Sequence, residues 1–244
     1  MYKKINLMVP TYHRINRLKT LMNSVKNTVS NIENVRFSFC VNKKDTETVE
    51  FLEQYLDKCL YNIVFENSRQ PNLSKYFNLM YDDEQNQDID IVSMIGDDMI
   101  FRTPCWDQII LSELNKYDGL RIIYCDDDFI AHEKLCVNMF TTRKLVKLTG
   151  KPFMCENFHA DMIDMVWMMV GGITGLLSYR SDIVIFHDHS SKDKKEDWDE
   201  TFQRLRPVQV IANGEANRRY ALAYATIVAR NLIENGVGSW NVLQ

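Results

Sequence analysis

Five short apolar runs, punctuated by stretches whose apolar residues recur three and four apart, restrict this chain more than any other feature. The runs are "INLMV" (5–9), "VRFSFCV" (35–41), "YNIVFE" (61–66), "DIVSMI" (90–95) and "LRIIYC" (120–125). Within 35–41, Val35, Phe37, Phe39 and Val41 alternate with the period of a strand. Ile15, Leu18, Leu21, Met22 and Val25 follow the first run, closed by Pro10, at helical spacing, and Val49, Leu52, Leu56 and Cys59 follow the second. A short helix is expected around 74–81. Thr103–Pro104 opens another, since Thr suits an N-cap and Pro a first turn. Strands alternating with helices build βαβ units, so the class is α/β with a mostly parallel sheet flanked by helices. In such sheets ligands bind beyond the carboxyl ends of the strands. "PTYHR", "NKKD", "ENSRQ", "GDD" and "CDDD" all fall there.

The second half is less regular. "TTRKLVKLTGK" reads as a short helix stopped by Gly150. Residues 156–170 read as a helix, 182–186 as a strand and 215–235 as a long helical tail. The expected organisation is one domain over 1–205 with a helical extension, 206–244, packed on it. A net charge of −4 excludes a generally basic nucleic-acid binder. Six cysteines without a C-x-x-C pair suit neither a zinc knuckle nor a disulfide scaffold, and are expected to be reduced and mostly buried. The first residues lack a signal-peptide core, and no apolar run reaches the roughly 18 residues of a membrane span. The expected location is the cytoplasm.

Two neighbouring carboxylates, Asp97 and Asp98, end the fourth apolar run. Burying either one unpaired is costly, so a cation belongs beside them, either a basic side chain or a metal ion. His187 and His189 follow a later strand in the same way. Asp98 with an imidazole, completed by phosphate oxygens and water, would suit Mn²⁺ or Mg²⁺. The competing reading pairs Asp98 with Arg102 and leaves both histidines on a surface turn. Asp161 and Asp164 share a helical face near His159 and Trp167, which suits a general base in a partly dry pocket or, more plainly, a solvated acidic face. "DDD" at 126–128 reads as a loop. Arg204, Arg206, Arg218, Arg219 and Arg230 would attract a phosphate backbone, an attraction weakened by Glu215 and Glu234.

In chain order, "INLMVPTYHRINRLKTLMNSV", "PNLSKYFNLMYD", "MIGDDMIF", "FRTPCWD", "YCDDDF", "IDMVW", "VIFHDHS" and "DWDETFQR" resemble a GT-A glycosyltransferase of the family 2 type, in a small bacterial and phage branch. The resemblance spans roughly 5–205. It implies a nucleotide-sugar donor, UDP-linked by preference, a divalent metal (Mn²⁺ or Mg²⁺), and an inverting single displacement. It places Thr11, Tyr12 and Arg14 around the base with Asn42 near it, and Ser74 and Lys75 toward the donor. Asp97 would contact the ribose or sugar. Asp98 would bind the metal with His187, or with His189 in its stead. Asp164 takes the position of the catalytic base, with His159, Asp161 and Trp167 on the acceptor side. Two departures stand out: Gly96 replaces the first aspartate of the family's DxD motif, and Asn42 replaces a frequent aspartate. Rival readings are a nucleotidyltransferase, disfavoured by the absence of a G-x-G-x-x-G loop, and a non-catalytic sugar-nucleotide-binding scaffold. The acceptor is open, with modified DNA among the candidates.

Overall fold

The computed structural model describes residues 2–67, 71–129, 131–158, 162–189 and 215–241. Eight strands are present: β1 (Ile5–Thr11), β2 (Val35–Asn42), β3 (Tyr61–Glu66), β4 (Ile91–Met94), β5 (Met99–Phe101), β6 (Ile122–Asp126), β7 (Met139–Thr142) and β8 (Leu177–His187). The described helices are α1 (Ile15–Thr28), α2 (Thr46–Tyr55), α3 (Leu73–Asp82), α4 (Trp106–Lys116), α5 (Arg143–Leu148), α6 (Ile163–Thr174) and α7 (Glu215–Glu234). The strands form one sheet in the order β3-β2-β1-β4-β7-β6-β8-β5. The half made by β3, β2, β1 and β4 is parallel, as expected. Beyond it the sheet is mixed, because β7 runs antiparallel to both β4 and β6, and β5 antiparallel to β8.

Period-two alternation divides the apolar residues between two cores. Ile5, Leu7 and Val9 face one side with Phe37 and Phe39, where α1 and α4 contribute Leu18, Leu21 and Trp106. Met8, Cys40, Val92 and Met94 face the other, where α3, α6 and α7 contribute Phe77, Met80, Trp167 and Leu232. Full burial of one such side chain contributes about 1.5–3 kcal/mol. Trp106 is wholly buried, its ring centroid 4.5 Å from that of Phe101 and 5.8 Å from that of Phe140.

Several boundaries differ from expectation. The helix expected to start at Thr103 begins at Trp106, because the Thr103 hydroxyl accepts the Val184 N–H at 2.8 Å and ties the turn to β8. The helix expected over 156–170 begins at Ile163, after a left-handed Met162 (φ 81°), and runs on through Gly171 and Gly172 to Gly175 (φ 70°). Gly171 is required by close packing: a Cβ there would stand 2.8 Å from Leu177 Cδ1. The cysteines are unpaired, with Cys40, Cys125 and Cys136 buried but Cys59 and Cys105 exposed. Among the described residues no helix is long and apolar enough to cross a membrane.

Candidate active site

A cleft opens where two parallel strands part. β1 pairs with β4 only at Ile5 and Asn6, and a bond from Ile95 N–H to the Met8 carbonyl (3.2 Å) is the last between them. Past it β1 runs beside β2 alone, and Pro10, which has no N–H to give, sits in that stretch. The resulting cleft has a volume of about 250 Å³ and is lined by strand tips: Thr11 from β1 with Tyr12 just after it, Asn42 from β2, Glu66 from β3, and Gly96 to Asp98 after β4. Asp164, His187 and His189 line the same cleft.

The chain turns sharply after β4 so that β5 can pair with β8, Met99 opposite His187. That register sets His187 beside Asp98, with Nε2 3.4 Å from Oδ1, and the Asp188 N–H donates to the Asp98 carbonyl at 2.8 Å. The His189 ring centroid is 4.9 Å from that of His187. Gly96 makes room for this arrangement, since a Cβ there would lie 2.6 Å from Asp98 Oδ1. Burial opposes the charge on Asp98, but the His187 hydrogen bond and charge, with Arg14 and His189, hold its pKa well below the usual carboxylate range. Burial likewise lowers the His187 pKa, yet Asp98, Asp127 and Asp164 outweigh it and raise the net value. The pKa of His189 is lowered by burial and by the charges of His187, Arg14 and Arg17.

Asp97 has a different surrounding. It is 4% exposed, accepts the Thr11 hydroxyl at 2.9 Å and pairs with Arg14 Nη1 at 2.8 Å. Burial raises its pKa and the Asp98 charge adds to this, against Arg14 and Thr11. The cation beside Asp97 is thus a guanidinium. Arg14 and Asp97 both line the cleft, Arg14 clamps this carboxylate, and both Asp97 oxygens have partners inside the protein. Asp98 is not paired with Arg102, which meets Asp128 at 2.5 Å and stacks on Phe186, 3.9 Å from the ring centroid.

Asp98 Oδ1 and His187 Nε2, 3.4 Å apart, could serve as two ligands of a divalent ion, and among the described residues no third His, Cys, Asp or Glu ligand atom lies within 4.8 Å of both. Cis ligands on an octahedral ion with bonds of about 2.1 Å lie about 3 Å apart, close to the Asp98–His187 separation. Among the described residues, Asp126, Asp127 and His132 do form a group of three whose ligand atoms lie within 4.8 Å of one another. It is held together by its own hydrogen bonds: Asp127 accepts the Ala131 and His132 N–H groups at 3.1 and 2.7 Å, and Asp126 Oδ1 lies 2.8 Å from His132 Nδ1.

Asp164 sits in the first turn of α6, where the helix dipole favours a carboxylate, and accepts the Met165 N–H at 2.8 Å. Other expected site residues lie elsewhere. Ser74 is buried and donates to the Phe158 carbonyl at 2.5 Å, anchoring α3 to the segment ahead of α6. Lys75 is exposed on α3. Trp167 is a core residue whose Nε1 donates to the Phe153 carbonyl at 3.2 Å. His159 and Asp161 lie outside the described residues, as do Arg204 and Arg206. Arg218, Arg219 and Arg230 are exposed on α7, with Arg219 paired to Glu215 at 2.5 Å. Glu66 was not singled out from sequence, although its strand tip was.

No protein-family model and no curated protein matches this chain in sequence. Solved structures match it in shape. Residues 1–349 of TarS from S. aureus align over 95% of this chain and 72% of their own length, with TM-score 0.62 and 12% identity. The mannosyltransferase PcManGT from Pyrobaculum calidifontis, bound to GDP-Man and Mn²⁺, aligns over 97% of this chain and 80% of its own, with TM-score 0.61 and 14% identity. This chain has the GT-A fold. Glucosyl-3-phosphoglycerate synthase from Mycobacterium tuberculosis, in complex with Mn²⁺, UDP and glucosyl-3-phosphoglycerate, shares the GT-A architecture over 77% of this chain and 72% of its own, with TM-score 0.54 and 13% identity. At these identities the likeness is one of fold.

Proposed function

We propose that this chain is a metal-dependent glycosyltransferase that moves a sugar, with inversion, from a nucleoside-diphosphate donor to an acceptor hydroxyl. The observation that carries the reading is the convergence of Asp98, His187, His189 and Asp164 on one cleft at the strand tips. It is supported by GT-A neighbours solved with UDP, UDP-GlcNAc, GDP-Man and Mn²⁺. UDP is the favoured carrier.

Asp98 and His187, with His189, would hold the ion, which when bound supplies Lewis-acid stabilisation of the departing diphosphate. Arg14 stays locked to Asp97 and fixes the turn that presents Asp98. Asp164 accepts the proton of the acceptor hydroxyl as its oxygen bonds to the anomeric carbon. The bond from that carbon to the diphosphate oxygen breaks, and its electron pair leaves with the diphosphate. A general base contributes about 10²–10⁴ in rate. Asp164→Asn should lose that factor in kcat while its donor dissociation constant stays within about threefold of the parent's. Sugar transfer or donor hydrolysis with Mn²⁺, followed by release of the nucleoside diphosphate, measures the first quantity, and calorimetry the second. An Asp164→Asn protein turning over at the parent rate refutes the base assignment. A parent protein that binds donor and never releases sugar is a scaffold.

A further inference from the structure

Two arginines stand where a helix tolerates cations least. Arg14 is the N-cap of α1 and Arg17 lies in its first turn, at the positive end of the helix dipole, and no acid occupies that turn. The opposite charge comes from far along the chain. Arg14 meets Asp97, whereas Arg17 Nη1 lies 3.7 Å from Asp98 Oδ2, too far for a hydrogen bond. Arg17 Nη1 instead donates to the Asp188 carbonyl at 2.6 Å. That carbonyl belongs to the residue between His187 and His189. β8 ends at His187, whose pairing with Met99 closes the ladder to β5. One residue on, the Asp188 N–H donates to the Asp98 carbonyl at 2.8 Å while the Asp188 C=O receives Arg17. The backbone of Asp188 is thus held from two sides just past the sheet. The same helix grips β5, since Ser24 Oγ accepts the Phe101 N–H at 3.0 Å. The Arg17 side chain is 22% exposed and borders a second cavity of about 150 Å³, shared with Asn16, Thr20 and Asp188, so changing it does not hollow out the core.

We propose that Arg17 is a positioning residue that holds the end of β8 against the turn after β4 and so keeps His187 at ligand distance from Asp98. This rests on the reading of Asp98 and His187 as ligands of a divalent ion. The rival role for Arg17 is charge alone, and the two roles carry opposite signs. A guanidinium 3.7 Å from Asp98 repels an incoming cation, so its removal by Coulomb's law strengthens ion binding. Removal of a group that orients the ligands weakens ion binding in spite of that relief.

Arg17→Met, close in length but without charge or donors, separates the two on the full chain. Titration of free Mn²⁺ by electron paramagnetic resonance should show the variant binding about 10–100-fold more weakly than the parent. Unchanged or tighter binding overturns the proposal. Site-resolved amide exchange, measured without metal, gives a second readout. The Asp188 amide should exchange at least about tenfold faster in Arg17→Met, while the Phe37 amide, bonded to the Leu60 carbonyl in the distant half of the sheet, keeps its rate. Equal acceleration of both amides means general destabilisation and overturns the proposal, as does no acceleration of Asp188. A parent that binds no Mn²⁺ removes the metal reading of the site, and the exchange of Asp188 then decides the role of Arg17 by itself. Should the variant not fold, the parent decides: slow exchange at Asp188 supports the clamp, and exchange at the unprotected rate overturns it.

Discussion

Gly96 shows how much of this site turns on one missing methyl group. A Cβ at this position would press on Asp98 Oδ1 at 2.6 Å, and the carboxylate would rotate away from His187. Gly96→Ala should therefore weaken Mn²⁺ binding by about 10–100-fold, the usual cost of disturbing what orients a ligand, with little change in unfolding midpoint. Titration of free Mn²⁺ by electron paramagnetic resonance reads this directly, and unchanged affinity would show that Asp98 does not hold the ion. From sequence, the residue types at this spot were legible: an acid pair at a strand end and a later His-x-His. Which acid is clamped by Thr11 and Arg14 and which stands beside His187 was not. Asp97 and Asp98 are adjacent and chemically alike, and only the Thr11 and Arg14 contacts, 86 and 83 positions away along the chain, separate the clamp from the candidate ligand. The core hydrogen bonds of Ser74 and Trp167 were not legible for a related reason, since a hydroxyl or an indole N–H that satisfies a backbone carbonyl in the core looks, in sequence, like one that meets a ligand.

At the scale of elements, α1, β1, β2 and β3 could be read because their apolar period is local and uninterrupted. β5 and β7, three and four residues long, could not. Such strands exist through partners far along the chain, Phe101 with Ile185 and Thr142 with Ile91, and carry too few residues to show a period. The loop after β6 offers a test of an element held by charge. Asp126 is opposed by burial, but the Asp128 N–H and His132 lower its pKa, whereas the hydrogen bond to Asp126 raises that of His132. The lowered acid contributes stability above its unfolded pKa of about 3.9, lost as pH falls through the folded value. The raised histidine contributes below its unfolded pKa of about 6.5, lost as pH rises through the folded value. Protection of residues 126–132 should thus be greatest between about pH 4 and 6.5 and fall toward pH 8. Hydrogen exchange corrected for intrinsic rates measures it. His132→Gln should abolish the decline on the alkaline side, and an unchanged decline would mean that the pair does not hold the loop.

For the molecule as a whole, the long helix α7 is no ornament. Ala221, Ala225, Val228 and Leu232 enter the second core together with Trp167 and Met154, and Asn231 donates to the Thr149 carbonyl at 2.6 Å. The division expected near residue 205 falls outside the described residues, and the α7 side chains in the second core lead us to expect that α7 unfolds with the sheet. Leu232 is wholly buried, so Leu232→Ala should cost about 2–5 kcal/mol in denaturant unfolding, in a single transition shared with the sheet. A separate early transition would show α7 to be a detachable appendage. The early end of the ladder between β1 and β4 bears on the same cooperativity. Above Met8 no backbone rung among the described residues joins β1 to the turn that offers Asp98, and the side chains of Thr11, Arg14 and Arg17 reach across the gap to that turn. A nucleoside diphosphate lying across it would act as a strut, so an occupied protein should resist heat and proteases as one body, and its empty form should yield first along that seam.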